Sequence, residues 1–130
     1  MRIDFHTHTT CSDGQYTPEE LVQKAAAAGI CALAITDHDA VSGIARGKQA
    51  AKAFPQLQIF PGIEITVQGN IHLLGIFDPG SEYEDLVKIL GKIDYCEDIK
   101  TTKNPINKII EIITENHGIA VPAHVDQASG

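Results

Sequence analysis

Short apolar runs bordered by histidine, aspartate or glutamate recur along this chain, and no other feature so narrows what it can fold into. The first is Asp4-Phe5-His6-Thr7-His8, followed by Asp13-Gly14. Side chains alternate faces along an extended chain, so His6 and His8 present two imidazoles to one point. Ala32-Leu33-Ala34-Ile35-Thr36 then leads into Asp37-His38-Asp39, and the run around Ile59-Phe60-Pro61-Gly62-Ile63 leads into Glu64. Asn70-Ile71-His72 opens another apolar segment, and Ile119-Ala120-Val121-Pro122-Ala123 delivers His124, with Asp126 beyond it. An α/β fold with parallel strands gathers strand ends on one face, so these side chains are expected to converge there.

Local signals fill in the elements between. Thr17-Pro18-Glu19-Glu20 reads as a capping box with proline at the first helical position, opening a helix through Ala25 to Ala28 that stops at Gly29. Asp39 is placed to cap a second helix ending before Pro55. Residues 57–60, 63–67 and 71–77 are strand-like, and Gln68-Gly69-Asn70 reads as a hairpin turn. Ser81-Glu82-Tyr83-Glu84 opens a helix to about Leu90, and residues 92–104 read as a loop. Asn104-Pro105 starts the last helix, where Ile106, Ile109, Ile110 and Ile113 keep helical spacing. His117 falls in its last turn with Gly118 as the left-handed cap, which makes this histidine structural.

Composition bounds the partners. The chain has 130 residues, enough for one domain at most. No run reaches the length of a membrane span, and the N-terminus lacks the apolar segment of a signal peptide, so the expected location is the cytoplasm. Cys11, Cys31 and Cys96 show no C-x-x-C spacing, which points away from a disulfide framework or a zinc-thiolate site, and Cys31 is expected to pack in a strand. A net charge of −7 argues against a nucleic-acid surface built on lysine and arginine. Bound cations can still carry the attraction to a phosphorylated substrate.

The ordered motifs D-F-H-T-H-T-T-C-S-D-G, I-T-D-H-D, P-G-I-E-I, H-L-L-G and P-A-H resemble the PHP (polymerase and histidinol phosphatase) family, of the phosphoesterase branch. The resemblance covers nearly the whole chain. It implies an α/β fold, a distorted seven-stranded (βα)7 barrel, with two or three divalent metal ions (zinc, manganese or iron) and metal-dependent hydrolysis of a phosphate ester. By resemblance, His6, His8 and Glu64 match one metal's ligands, Glu64, His72 and His124 a second, and Asp13 with His38 a third. Glu64 is the natural bridge. Aspartate at position 13, where some relatives carry histidine, makes the third position richer in oxygen. Asp37 and Asp39 flank His38 and are the candidate catalytic residues, orienting its ring or sharing a proton with the leaving group. Arg46 is the candidate contact to substrate phosphate, against the plainer reading of a solvated helix charge. Plainer readings exist elsewhere too: Asp13-Gly14 as only a turn, Asp37 or Asp39 as only a helix cap, His72 as only a packed strand residue.

One departure from the family pattern stands out. Relatives complete the cluster with a late D-x-H motif, and none follows His124 here. A seven-unit barrel also needs roughly 200 residues or more. The expectation is therefore an incomplete PHP domain over residues 1–130, a partial barrel truncated after about five strands. A C-terminal region lying beyond this chain, or a homodimer through the open barrel edge, would complete it. The substrate is expected to be a nucleotide, a nucleic-acid end or a small phosphorylated metabolite. Two other classes stay open: a non-catalytic metal-binding module of a larger, ATPase-fused protein, and an amidohydrolase-type metal hydrolase, whose barrel also begins with His-x-His.

Overall fold

The structure is a computed structural model that describes residues 2–38, 41–69, 71–96 and 101–123. In chain order the elements are β1 (Arg2–Thr7), α1 (Pro18–Ala27), β2 (Ile30–Ile35), α2 (Ser42–Ala51), β3 (Gln58–Val67), β4 (Ile71–Ile76), α3 (Tyr83–Gly91), α4 (Ile106–Glu115) and β5 (Ile119–Ala123). The strands form one sheet in the order β1-β2-β3-β4-β5. The first three run parallel, as two βαβ units require, and β4 is antiparallel to both β3 and β5. Together they make a partial barrel of mixed α/β type, as expected.

Alternation along the strands decides which side is dry. Leu33 and Ile35 on β2 and Ile59, Ile63 and Ile65 on β3 are buried in one core with Val22 of α1, Ile44 of α2 and Ile109 and Ile113 of α4. Glu64 lies between Ile63 and Ile65, so it points to the opposite face of β3. On β4, His72 pairs with Thr66 and Leu74 with Glu64, which puts His72 on that same face.

Several helix ends follow their sequence signals. Glu20 donates its backbone N–H to Thr17 Oγ1 at 3.1 Å, and Thr17 N–H returns to Glu20 Oε1 at 3.0 Å. Gly29 leaves the helix at φ +78°. Strands β3 and β4 pair antiparallel with Val67 opposite Ile71 and Gly69 at φ +90°; Asn70, the last residue of the expected turn, lies outside the described residues. Cys31 sits in β2, its thiol 3.4 Å from the Arg2 carbonyl.

Other expectations need correction. The two strands read at 57–60 and 63–67 are one strand, because the Pro61 carbonyl accepts from Phe77 N–H and keeps the chain paired where proline has no donor of its own. Helix α2 takes Val41 as its N-cap with no side-chain cap; Asp39, expected there, lies outside the described residues. Helix α3 starts one residue late, with Asp85 accepting the Glu82 N–H at 3.1 Å. The left-handed residue after α4 is His117, at φ 64°, and not Gly118. Gly118 is there for space: a Cβ would lie 2.5 Å from the Phe77 ring. In the segment read as a loop, Thr102 is fully buried, bridges Tyr95 and donates its N–H to the Thr66 carbonyl at the end of β3. Residues 97–100 lie outside the described residues.

Candidate metal centre

Strand β1 carries His6 and ends one residue before His8, and its pairing with β2 is irregular at two points. Between Asp4 and Thr7 its register against β2 slips, three steps matching the two from Leu33 to Ile35. Such bulges re-aim side chains beside functional sites. Both imidazoles then reach the same carboxylate oxygen: Glu64 Oε1 is 2.7 Å from His6 Nε2 and 3.2 Å from His8 Nε2. The other oxygen, Oε2, is 2.8 Å from His72 Nδ1 and 3.5 Å from His38 Nδ1. Four imidazoles thus surround a carboxylate whose side chain is 0% exposed. Thr66 Oγ1 lies 3.3 Å from His72 Nδ1, a contact no sequence signal announced.

Asp13 reaches in from the β1–α1 loop. Its Oδ2 is 3.1 Å from His38 Nε2, and its Oδ1 is 3.8 Å from His8 Nδ1. The rings of His8 and His38 stack between it and Glu64.

Electrostatics follow from this crowding. Burial alone would push the Glu64 carboxyl up, but hydrogen bonds from His8 and His6 and the nearby charge of His38 overcome it and hold it at about 2, against an ordinary 4.5. His8 is raised above its ordinary 6.5, first by its hydrogen bond to Glu64, against the opposing effect of its own burial.

These side chains sort into three overlapping triads: His6, His8 and Glu64; His8, Asp13 and His38; and His38, Glu64 and His72. Within each, the donor atoms lie within 4.8 Å of one another. Ligands about 2.0–2.1 Å from a tetrahedral ion sit roughly 3.3 Å apart, so the spacing suits a common cation. His8 Nδ1 is buried without a hydrogen-bond partner, with Asp13 Oδ1 too distant to serve. Imidazole and carboxylate donors with such an atom among them fit first-row divalent ions. A neutral imidazole keeps one nitrogen protonated, so His8 serves one ion at a time and the triads sharing it define alternative or adjoining positions.

Six of the seven sequence-predicted ligands therefore come together: His6, His8, Asp13, His38, Glu64 and His72. His124 lies outside the described residues, as do Asp39 and Asp126. Asp37 is placed differently from its expected role. It is 1% exposed and accepts from Thr9 N–H at 2.6 Å, Thr9 Oγ1 at 2.7 Å and Ser12 Oγ at 2.7 Å, so its carboxylate faces the β1–α1 loop and not the His38 ring. The sequence reading missed Thr9 and Ser12, because hydroxyl residues in a polar loop carry no signal of which carboxylate they will meet. Arg46 donates two N–H groups to Glu19, at 2.9 and 2.6 Å, tying α2 to the first turn of α1. His117, expected in the last turn of α4, lies beyond the C-cap Asn116 and in none of these triads.

A family model for the PHP domain matches residues 4–128, and the chain belongs to this family. Among characterised proteins it is similar to the 5'-3' exoribonuclease Rnm of Escherichia coli, 44% identical over 77 residues that cover 56% of this chain and 26% of that protein. It is also similar to the 3',5'-nucleoside bisphosphate phosphatase of Chromobacterium violaceum, 38% identical over 81 residues covering 59% of this chain and 28% of that one. A two-domain protein of Bacteroides vulgatus, containing a predicted PHP-like metal-dependent phosphoesterase, superposes with a TM-score of 0.67 over 92% of this chain and 34% of its own. At 18% identity that likeness speaks for the fold. The chain spans about a quarter of the length of the two characterised relatives.

Proposed function

We propose that this chain carries the metal centre of a phosphoesterase that hydrolyses a phosphate ester by metal-activated water. One observation carries the reading: Glu64, fully buried, splits its two oxygens between His6 and His8 on one side and His38 and His72 on the other. A carboxylate so placed can hold two cations at a fixed separation, which is what in-line displacement at phosphorus needs. His6, His8 and Glu64 would hold one ion, Glu64 and His72 a second, with His124 added as the sequence suggests, and Asp13 with His38 a third. When bound, such ions supply a water of lowered pKa and positive charge against the phosphoryl oxygens. The protein's own part is to hold neutral imidazoles in register and to keep the bridging carboxylate ionised.

Zinc, manganese and iron all suit this donor set, and availability chooses among them. The two relatives are named for an exoribonuclease and a nucleoside bisphosphate phosphatase, so nucleic-acid ends and nucleotides lead the proposed substrates, followed by small phosphorylated metabolites. Among the described residues no helix is long and apolar enough to cross a membrane, and a cytoplasmic location belongs to the same proposal.

The test is hydrolysis by the chain loaded with Mn²⁺ or Zn²⁺, on a chromogenic phosphate monoester, a nucleoside 3',5'-bisphosphate and a 5'-phosphorylated oligoribonucleotide. Metal-dependent turnover of any of them, abolished by chelation, is expected. Bound metal without turnover on all three would replace this reading with that of a non-catalytic metal module, and hydrolysis of an amide alone would favour the amidohydrolase class.

A further inference from the structure

We propose that Asp37 is a positioning residue for the metal position at Asp13 and His38, acting through the β1–α1 loop. The inference rests on the metal reading above and adds a residue and a route to it. Asp13's side chain is 66% exposed, so beyond its own contact to His38 its reach depends on the loop that carries it.

That loop is closed on itself and then anchored. Ser12 and Gly14 both donate their N–H groups to the Thr9 carbonyl, at 3.0 and 2.8 Å. Gly14 lies so close to His8 that a Cβ there would be 2.3 Å from the His8 carbonyl oxygen. The anchor is the Asp37 carboxylate, which takes three short donor contacts from Thr9 and Ser12. Short donors converging on a buried carboxylate make strong, directional bonds. The first turn of α2 closes over them, since a Cβ on Gly43 would stand 3.0 Å from Thr9 Oγ1 and 3.1 Å from Asp37 Oδ2.

Asp37 also reaches the other side of the centre. Its carbonyl accepts the Glu64 N–H at 3.0 Å, and the next residue, His38, bridges to Glu64. One residue thus ties the loop bearing Asp13 to the strand bearing Glu64. An amide in its place keeps the shape but has one accepting oxygen, so its NH2 must face one of the three donors, and that bond is either lost or kept only by a hydroxyl that turns to accept.

The experiment compares Mn²⁺ binding by calorimetry, and amide hydrogen exchange of the chelated chain, in the wild type, Asp13→Asn, Asp37→Asn and Ser12→Ala. Asp37→Asn is expected to weaken, by about 10- to 100-fold, the same Mn²⁺ that Asp13→Asn removes, and to leave the remaining binding unchanged. The amides of Thr9, Ser12 and Gly14 should exchange roughly tenfold faster while α1 and β3 keep their protection. Ser12→Ala, which removes one bond of the three, should show the same pattern at smaller amplitude and stands in should Asp37→Asn fail to fold. Unchanged loop exchange, or unchanged Mn²⁺ affinity at the Asp13-dependent position, overturns the proposal. So does a loss of all binding together with the protection of α1 and β3, which would make Asp37 a general core residue. A wild type whose Mn²⁺ binding does not respond to Asp13→Asn refutes the metal reading at this position itself, before Asp37 is considered.

Discussion

His8 and His38 stack face to face, with ring planes 4° apart and centroids 4.4 Å apart. A charged ring in such a stack repels a charged neighbour, and His8 is the ring whose proton Glu64 favours. Its raised pKa gives opposite signs in the two states of the protein. In the metal-free chain, the His8–Glu64 contact stabilises fully below His8's ordinary 6.5 and is lost as pH rises through the raised value. With metal, the ring must be neutral to ligate, so binding weakens as pH falls below that same raised value, by about tenfold per pH unit for one displaced proton. Melting curves of the chelated chain and Mn²⁺ calorimetry, both between pH 6 and 8.5, should therefore slope in opposite directions.

Replacing Glu64 by glutamine should disable the centre as a whole. Two of the three triads contain Glu64, and loss even of an outer partner of a metal ligand costs 10–100-fold, so Mn²⁺ affinity and turnover should each drop by more than about 100-fold. The acid limb reports the same residue. The folded carboxyl titrates at about 2 against an ordinary 4.5, so its contribution is complete above 4.5 and disappears as pH falls toward 2. Acid unfolding of the chelated chain should lose that component in Glu64→Gln, and an unchanged acid limb would show that the four histidines do not hold the carboxylate.

The side chains gathered around Glu64 are legible in the sequence because alternation and motif order both act through local spacing. His6 and His8 meet one oxygen because they lie two residues apart at a strand end, and Glu64 faces away from Ile63 and Ile65 for the same reason. What the sequence could not give were contacts decided by tertiary approach. Asp37 was read from its neighbour His38, yet its oxygens are taken by Thr9 and Ser12, residues 28 and 25 positions earlier. Gly118 was read as a conformational cap, yet the crowding of Phe77 is what excludes a side chain there.

The end of α4 turns that last point into paired substitutions. His117 holds φ 64°, a conformation that costs an L-residue about 1 kcal/mol and glycine almost nothing. His117→Gly should therefore raise stability by about that amount in denaturant melts. Gly118→Ala should lower it by about 1–3 kcal/mol, because its Cβ would press within 2.5 Å of the Phe77 ring and 2.9 Å of Ile113. If the glycine were needed for its backbone freedom instead, the His117 substitution would bring no gain.

Arg46 separates a substrate contact from a structural pair. Its guanidinium donates twice to Glu19, which raises the arginine's pKa and lowers that of the carboxylate, and both groups stand in solvent. A substrate phosphate would first have to displace that carboxylate. On this geometry Arg46→Ala should change KM by less than about twofold and leave kcat alone, since exposed pairs of this kind contribute little. A KM increase of about tenfold or more, with kcat unchanged, would show instead that the arginine leaves Glu19 for the phosphate. Glu19→Gln decides between the two in the other direction: freeing the guanidinium should lower KM only if Arg46 meets the substrate, and here no change is expected.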